Sequence, residues 1–145
     1  MKINRRTLKA RAERILSVLG CPDAELDVIL TDDAEIASMD KSHMASLSED
    51  ASNDVFAWSE REGKGVLYNG GHLGQITVSL QRSAKQAKEW ASQGGRLGVY
   101  PWRLLDEVTY LMINGILHLI GYDAQENETP EKVHRRQRDL FALFR

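Results

Sequence analysis

Apolar residues at Leu8, Ala12, Ile15, Leu16 and Leu19 recur at helical spacing and stop at Gly20, which predicts a first helix with one buried stripe and its cations turned outward. Glu25 to Thr31 (ELDVILT) has the composition of a strand. A helix start follows at Thr31 to Glu35, with Thr31 or Asp32 as N-cap and acids in the first turn. That second helix fades into a polar stretch at Ser46 to Asp50, which leads into a strand from Asp54 to Ser59 (DVFAWS). Gly63, Gly65, Gly70, Gly71 and Gly74 punctuate a loop before the strongest strand pattern, Gln75 to Leu80 (QITVSL). Ser83 to Gln93 reads as a third helix ended by Gly94 and Gly95. Pro101 suits the first turn of a fourth, Trp102 to Ile120, with Gly121 at its end, and Pro130 opens a last helix running to Phe144. Without repeats or a linker, this pattern predicts a single α+β domain over residues 1–145.

Composition narrows the class. A chain of 145 residues, 42% hydrophobic and 28% charged, is long enough to bury a core without disulfides. No run approaches the roughly 18 apolar residues of a membrane helix. The basic N-terminus has no apolar signal core, because Arg11, Glu13 and Arg14 interrupt each candidate, so the chain is expected in the cytosol. The single cysteine, Cys21, excludes an internal disulfide and a zinc site built on paired thiolates, and reads as a packing residue. The glycines before Gln75 form no phosphate loop, since no Gly-Lys-Ser/Thr follows and the next element is a strand.

The formal net charge of −2 conceals segregation. Lys2, Arg5, Arg6, Lys9, Arg11 and Arg14 crowd the start of the chain against Glu13 alone, whereas positions 21 to 60 are acidic apart from Lys41. Blocks of this kind either fold into separate faces, of which the basic one attracts phosphate, or simply pair with one another.

The fourth helix carries polar residues within an otherwise apolar run. Glu107, Tyr110, Asn114 and His118 are three or four residues apart and share one face, which is either a ligand-bearing face or the solvent side. His43 and His72 fall in polar stretches expected at the surface, and His134 sits among Lys132, Arg135, Arg136 and Arg138 as part of a solvated cationic face. Trp58, Trp90 and Trp102 read as packing residues before base-stacking ones.

The segment Asn114-Gly-Ile-Leu-His118-Leu-Ile-Gly-Tyr-Asp123-Ala124 resembles the signature of the YbeY family of bacterial rRNA-maturation endoribonucleases, His-Gly-x-Leu-His-Leu-x-Gly-Tyr-Asp-His. Asp54-Val-Phe-Ala-Trp58 is similar to the family's Thr-Asp-Val-Leu-Ser-Phe strand, and Gly74-Gln-Ile76 to its Gly-Asp-Ile strand start. The resemblance covers the chain from about Leu26 to Leu140. It implies a mixed sheet of about four strands packed with a central helix and flanking helices. It also implies one divalent metal, usually zinc, on the three signature histidines, with an open position that polarises a water or a phosphate oxygen for phosphodiester cleavage.

The match departs from the family at the ligands. Of the three histidines only His118 is present; Asn114 and Ala124 occupy the other two positions, and Ala124 has no ligating atom. Gln75 stands where the family has Asp, and Leu47 where many members have a basic residue, although Gly115, Leu117, Leu119, Gly121, Tyr122 and Asp123 are retained. Scaffold kept and ligands lost is the pattern of a degenerate enzyme.

The resulting expectation is a family member with no metal as isolated, which binds rRNA or the small ribosomal subunit. Lys2, Arg5, Arg6 and Lys9 would contact RNA, with Arg82, Lys85, Lys88, Arg96 and Arg103 as further basic support. Asn114 and His118 are expected to line a shallow groove that includes Gln75, Asp123 and Leu47. Two alternatives stay open. One is an active endoribonuclease whose remodelled site uses His118 and Asn114 with Asp123, His72 or His134; the other is a protein-interaction module using the acidic segment from Asp23 to Asp54.

Overall fold

The computed structural model describes residues 3–38, 55–59, 72–120 and 129–144. Helix α1 (Arg5–Val18) starts where the Asn4 side chain accepts from the Thr7 amide at 3.0 Å, and it buries Leu8, Ala12, Ile15 and Leu16 as the stripe requires. It ends at Gly20, whose φ of +83° is a conformation glycine adopts without the strain a Cβ would bring. Strand β1 (Glu25–Thr31) matches its sequence bounds, and Asp32 caps the short helix α2 (Asp33–Ala37) by accepting from the Glu35 amide at 2.9 Å.

Strand β2 (Val55–Ser59) and strand β3 (His72–Ser79) complete a sheet in the order β1-β3-β2, parallel between β1 and β3 and antiparallel between β2 and β3. The sheet is mixed, as expected, but the described residues contribute three strands to it where about four were anticipated. The central strand begins at His72, before Gln75, because pairing with Glu25 and Leu26 of β1 extends the ladder past the glycine that punctuates the sequence. Its other end also moves. Leu80 belongs to helix α3 (Leu80–Ser92), because Ser79 closes the strand and caps the helix at once, its hydroxyl accepting from the Arg82 amide at 3.2 Å and donating to Asp33 at 2.6 Å.

Helix α4 (Leu104–Leu119) starts later than the pattern suggests, with Pro101 before the helix and not in its first turn. Its start is set by Asp106, which accepts from the Arg103 amide at 2.9 Å. The last helix, α5 (Pro130–Phe141), is capped by Thr129 and gives way to a 3-10 turn at Ala142–Phe144. Gly63, Gly65, Gly70, Gly71 and Gly121 lie outside the described residues.

Helix α4 is the centre of the molecule. Val108, Leu111, Met112, Ile113, Ile116 and Leu117 are fully buried, and one continuous apolar cluster joins them to α1, the sheet and α5. Ala57 of β2 and Ile76 and Val78 of β3 meet this helix. Gly115 allows the approach, since a Cβ there would stand 2.8 Å from Ile76 Cδ1. Among the described residues no helix is long and apolar enough to cross a membrane.

Candidate functional site

The polar face of α4 is not the solvent side. Glu107, Tyr110 and Asn114 are fully buried, so each needs partners from the elements packed over it. At the N-terminal end those partners are charged and aromatic. The connection between α3 and α4 turns Arg96 inward, where one guanidinium nitrogen donates to both Glu107 carboxylate oxygens at 3.0 Å. The Trp102 indole N–H donates to the same carboxylate at 3.0 Å. The guanidinium lies 3.8 Å from the Tyr110 ring centroid and 4.5 Å from that of Trp90, and Trp102 packs in turn on Phe141. Arg96 is therefore a structural cation and not part of a basic surface, which corrects its place among the RNA-facing residues.

One turn further along, α5 supplies the partner. Gln137, fully buried on the apolar side of that helix, donates from Nε2 to Asn114 Oδ1 at 2.7 Å, and its own Oε1 accepts from the Tyr110 hydroxyl at 3.5 Å. The chain of bonds stops there. Asn114 Nδ2 is buried with no hydrogen-bond partner among the described residues. His118 lies one turn beyond, half-buried at the end of the helix. The expected groove pairing of Asn114 with His118 is thus corrected for Asn114, which is sealed beneath α5.

The other site residues are dispersed. Gln75, half-buried, points to the face of β3 opposite Ile76, and its amide reaches Thr77 Oγ1 at 3.5 Å. His72 is not in a polar surface stretch but at the start of β3, half-buried and 3.4 Å from Asp27. His134 lies on α5. Leu47, Asp123, Ala124, His43 and Lys2 lie outside the described residues. On α1, Arg5, Arg6 and Lys9 are exposed, as the stripe predicts. Arg11 departs from that outward set: it turns onto α4, donating to Thr109 at 3.0 Å and approaching Asp106 at 3.8 Å, with Phe144 beneath it. Arg82 lies 3.3 Å from Asp33, while Lys85, Lys88 and Arg103 are exposed.

A divalent metal does not fit the described donor set. The side-chain oxygen of Asn114 already accepts from the Gln137 N–H, an amide oxygen is a poor transition-metal ligand, and the NH2 group of that amide cannot ligate a cation. Among the described residues no group of three or more His, Cys, Asp or Glu side chains is placed to hold a metal ion. The residue the sequence reading missed is Gln137. Its signal was its position between Val133 and Leu140 on the buried stripe of α5, where an amide marks a partner across the core.

Comparison with known proteins gives a consistent result. A family model described as Endoribonuclease YbeY matches residues 1–145. A protein of Syntrophotalea carbinolica named Endoribonuclease YbeY is 32% identical over 99% of this chain and 89% of its own length. The Geobacter metallireducens protein of the same name is 33% identical over 94% of this chain and 84% of its own length, and that of Geobacter sulfurreducens 31% identical over 98% and 87%.

Proposed function

The chain belongs to the YbeY family, and from that premise we propose that it is a member with a degenerate metal site, acting by binding single-stranded rRNA and not by metal-dependent cleavage. The observation that carries the reading is the Gln137–Asn114 hydrogen bond at 2.7 Å in a fully buried setting. It engages the side-chain oxygen that the substituted ligand position could offer, which supports the reading that this position serves packing and not a metal. Affinity comes instead from the exposed cations of α1. Arg5 and Lys9 are one helical turn apart with Arg6 beside them, a spacing that suits a phosphate backbone, and Lys2, outside the described residues, adds a further cation in the sequence.

Metal analysis of protein purified without chelator and without a metal-binding tag should find no stoichiometric zinc. About one ion per chain bound through His118 would return the protein to the active endoribonucleases with a remodelled site. Restoring both ligands, Asn114→His with Ala124→His, should bring metal back, and a folded double variant that stays metal-free would show that these positions are not the ligand positions. For RNA, log affinity should fall linearly with log salt, by roughly 0.7 for each phosphate contacted on a single strand. Arg5→Glu with Lys9→Glu should weaken binding to all single-stranded RNAs alike and flatten that slope, whereas His118→Ala should change it little. Absence of binding at low salt would shift the reading to the interaction module.

A further inference from the structure

The connection between α3 and α4 contains a tight hairpin that leaves one aromatic ring in solvent. Arg96 and Val99 exchange backbone bonds, the Arg96 N–H donating to Val99 O at 3.2 Å and the Val99 N–H to Arg96 O at 2.8 Å, so Leu97 and Gly98 are the two turn residues. Their φ angles of +55° and +74° are of the sign that such a turn requires, and for a leucine that conformation is strained. Gly95 is equally constrained, since a Cβ there would stand 1.9 Å from Val99 O. Tertiary contacts hold the hairpin in this shape. Arg96 and Trp102 are both bonded to Glu107, and Leu97 and Val99 pack against the core. Tyr100, between these anchors, is 69% exposed, against 46% for Val18 and 40% for Ile29, the other exposed large apolar side chains among the described residues.

We propose that Tyr100 is a base-stacking residue, a second contact for the single-stranded RNA of the function proposed above, on which this inference rests. A stacking platform works best when its conformation is already fixed, because little freedom is then lost as a base settles on the ring. The anchored backbone on either side of Tyr100 meets that condition. The charge around it favours a nucleic acid over a protein. Lys85 and Lys88 are exposed one turn apart on α3, Arg103 is exposed three residues after Tyr100, and between Leu80 and Arg103 the only acid is Glu89. Asp106, the next acid along the chain, already accepts from the Arg103 amide and faces Arg11. Those contacts also join this surface to the first one. Through Arg11 the helix that carries Arg5, Arg6 and Lys9 lies against the first turns of α4, which Arg103 precedes. The two contacts differ in kind: the cations of α1 hold any phosphate backbone, whereas Tyr100 needs a base, of any identity because every base has a π-face.

The test is fluorescence anisotropy of two labelled strands titrated with the full chain, an oligouridylate and an abasic ribose-phosphate strand of equal length, with circular dichroism to confirm folding. Tyr100→Ala should weaken oligouridylate binding by about fivefold to a hundredfold. It should leave the abasic strand and the salt slope unchanged, because the ring carries no charge. Tyr100→Phe keeps the stacking face and should bind as the parent does. Arg5→Glu with Lys9→Glu should weaken both strands, which separates phosphate contact from stacking. A Tyr100→Ala variant that binds oligouridylate as tightly as the parent, or that loses both strands equally, overturns the stacking role while the RNA-binding reading stands. So does a Tyr100→Phe variant as weak as the alanine one. A parent chain that binds neither strand at low salt overturns both.

Discussion

The two ends of the polar face of α4 meet the same constraint and resolve it differently. At Glu107, a fully buried carboxylate receives bonds from Arg96 and Trp102, and the cation is enclosed by the rings of Trp90 and Tyr110. At Asn114, an equally buried amide receives one bond from Gln137, and among the described residues its nitrogen has no partner. The first end is a finished structural device that fastens the loop before α4. The second is a position with a surplus hydrogen-bonding group. Satisfaction of buried groups therefore separates the end that holds the helix in place from the end that carries polar capacity to spare.

The largest effect that would test this contrast is at the satisfied end. Glu107→Gln keeps the shape but leaves Arg96 buried without its counter-charge, and should cost about 3–5 kcal/mol, measured by urea unfolding. A loss under about 1 kcal/mol would mean that the cation escapes to solvent and that the pair does not anchor the loop. At the other end, Gln137→Leu removes the donor to Asn114 Oδ1 and the acceptor of the Tyr110 hydroxyl, and should cost about 1–3 kcal/mol. The smallest effect should come from removing both amides and the hydroxyl bonded to them. Asn114→Leu with Gln137→Leu, combined with Tyr110→Phe because the Tyr110 hydroxyl donates to Gln137, removes the whole set of mutually bonded polar groups, so the triple variant should lie within about 1 kcal/mol of the parent. A triple variant as destabilised as the sum of its single changes would show that the amide pair stabilises the core as the ion pair does.

Much of the fold was legible along the chain. The bounds of β1 follow from ELDVILT, and the stripe of α1 from the spacing of Leu8, Ala12, Ile15 and Leu16. One error arises where two elements share one residue: Ser79 ends β3 and caps α3, so neither boundary carries the loop residues by which boundaries are recognised. The candidate site was legible as a motif but not as an environment. Spacing put Glu107, Tyr110, Asn114 and His118 on one face, and left open whether that face met ligand or water. The solvent side is excluded for the first three, because α5 and the connection before α4 cover them.

The sequence by itself determined the helix and strand periods, the family signature, and the basic character of α1, because each depends on residue identity and short-range spacing. Tertiary structure alone decided that Arg96 is an internal cation and that Gln137 donates to the side-chain oxygen of Asn114. These depend on which element packs against which. A guanidinium or an amide has the same chemistry in water as in a core, and only the neighbours brought from 11 or 23 residues away decide which of the two it meets.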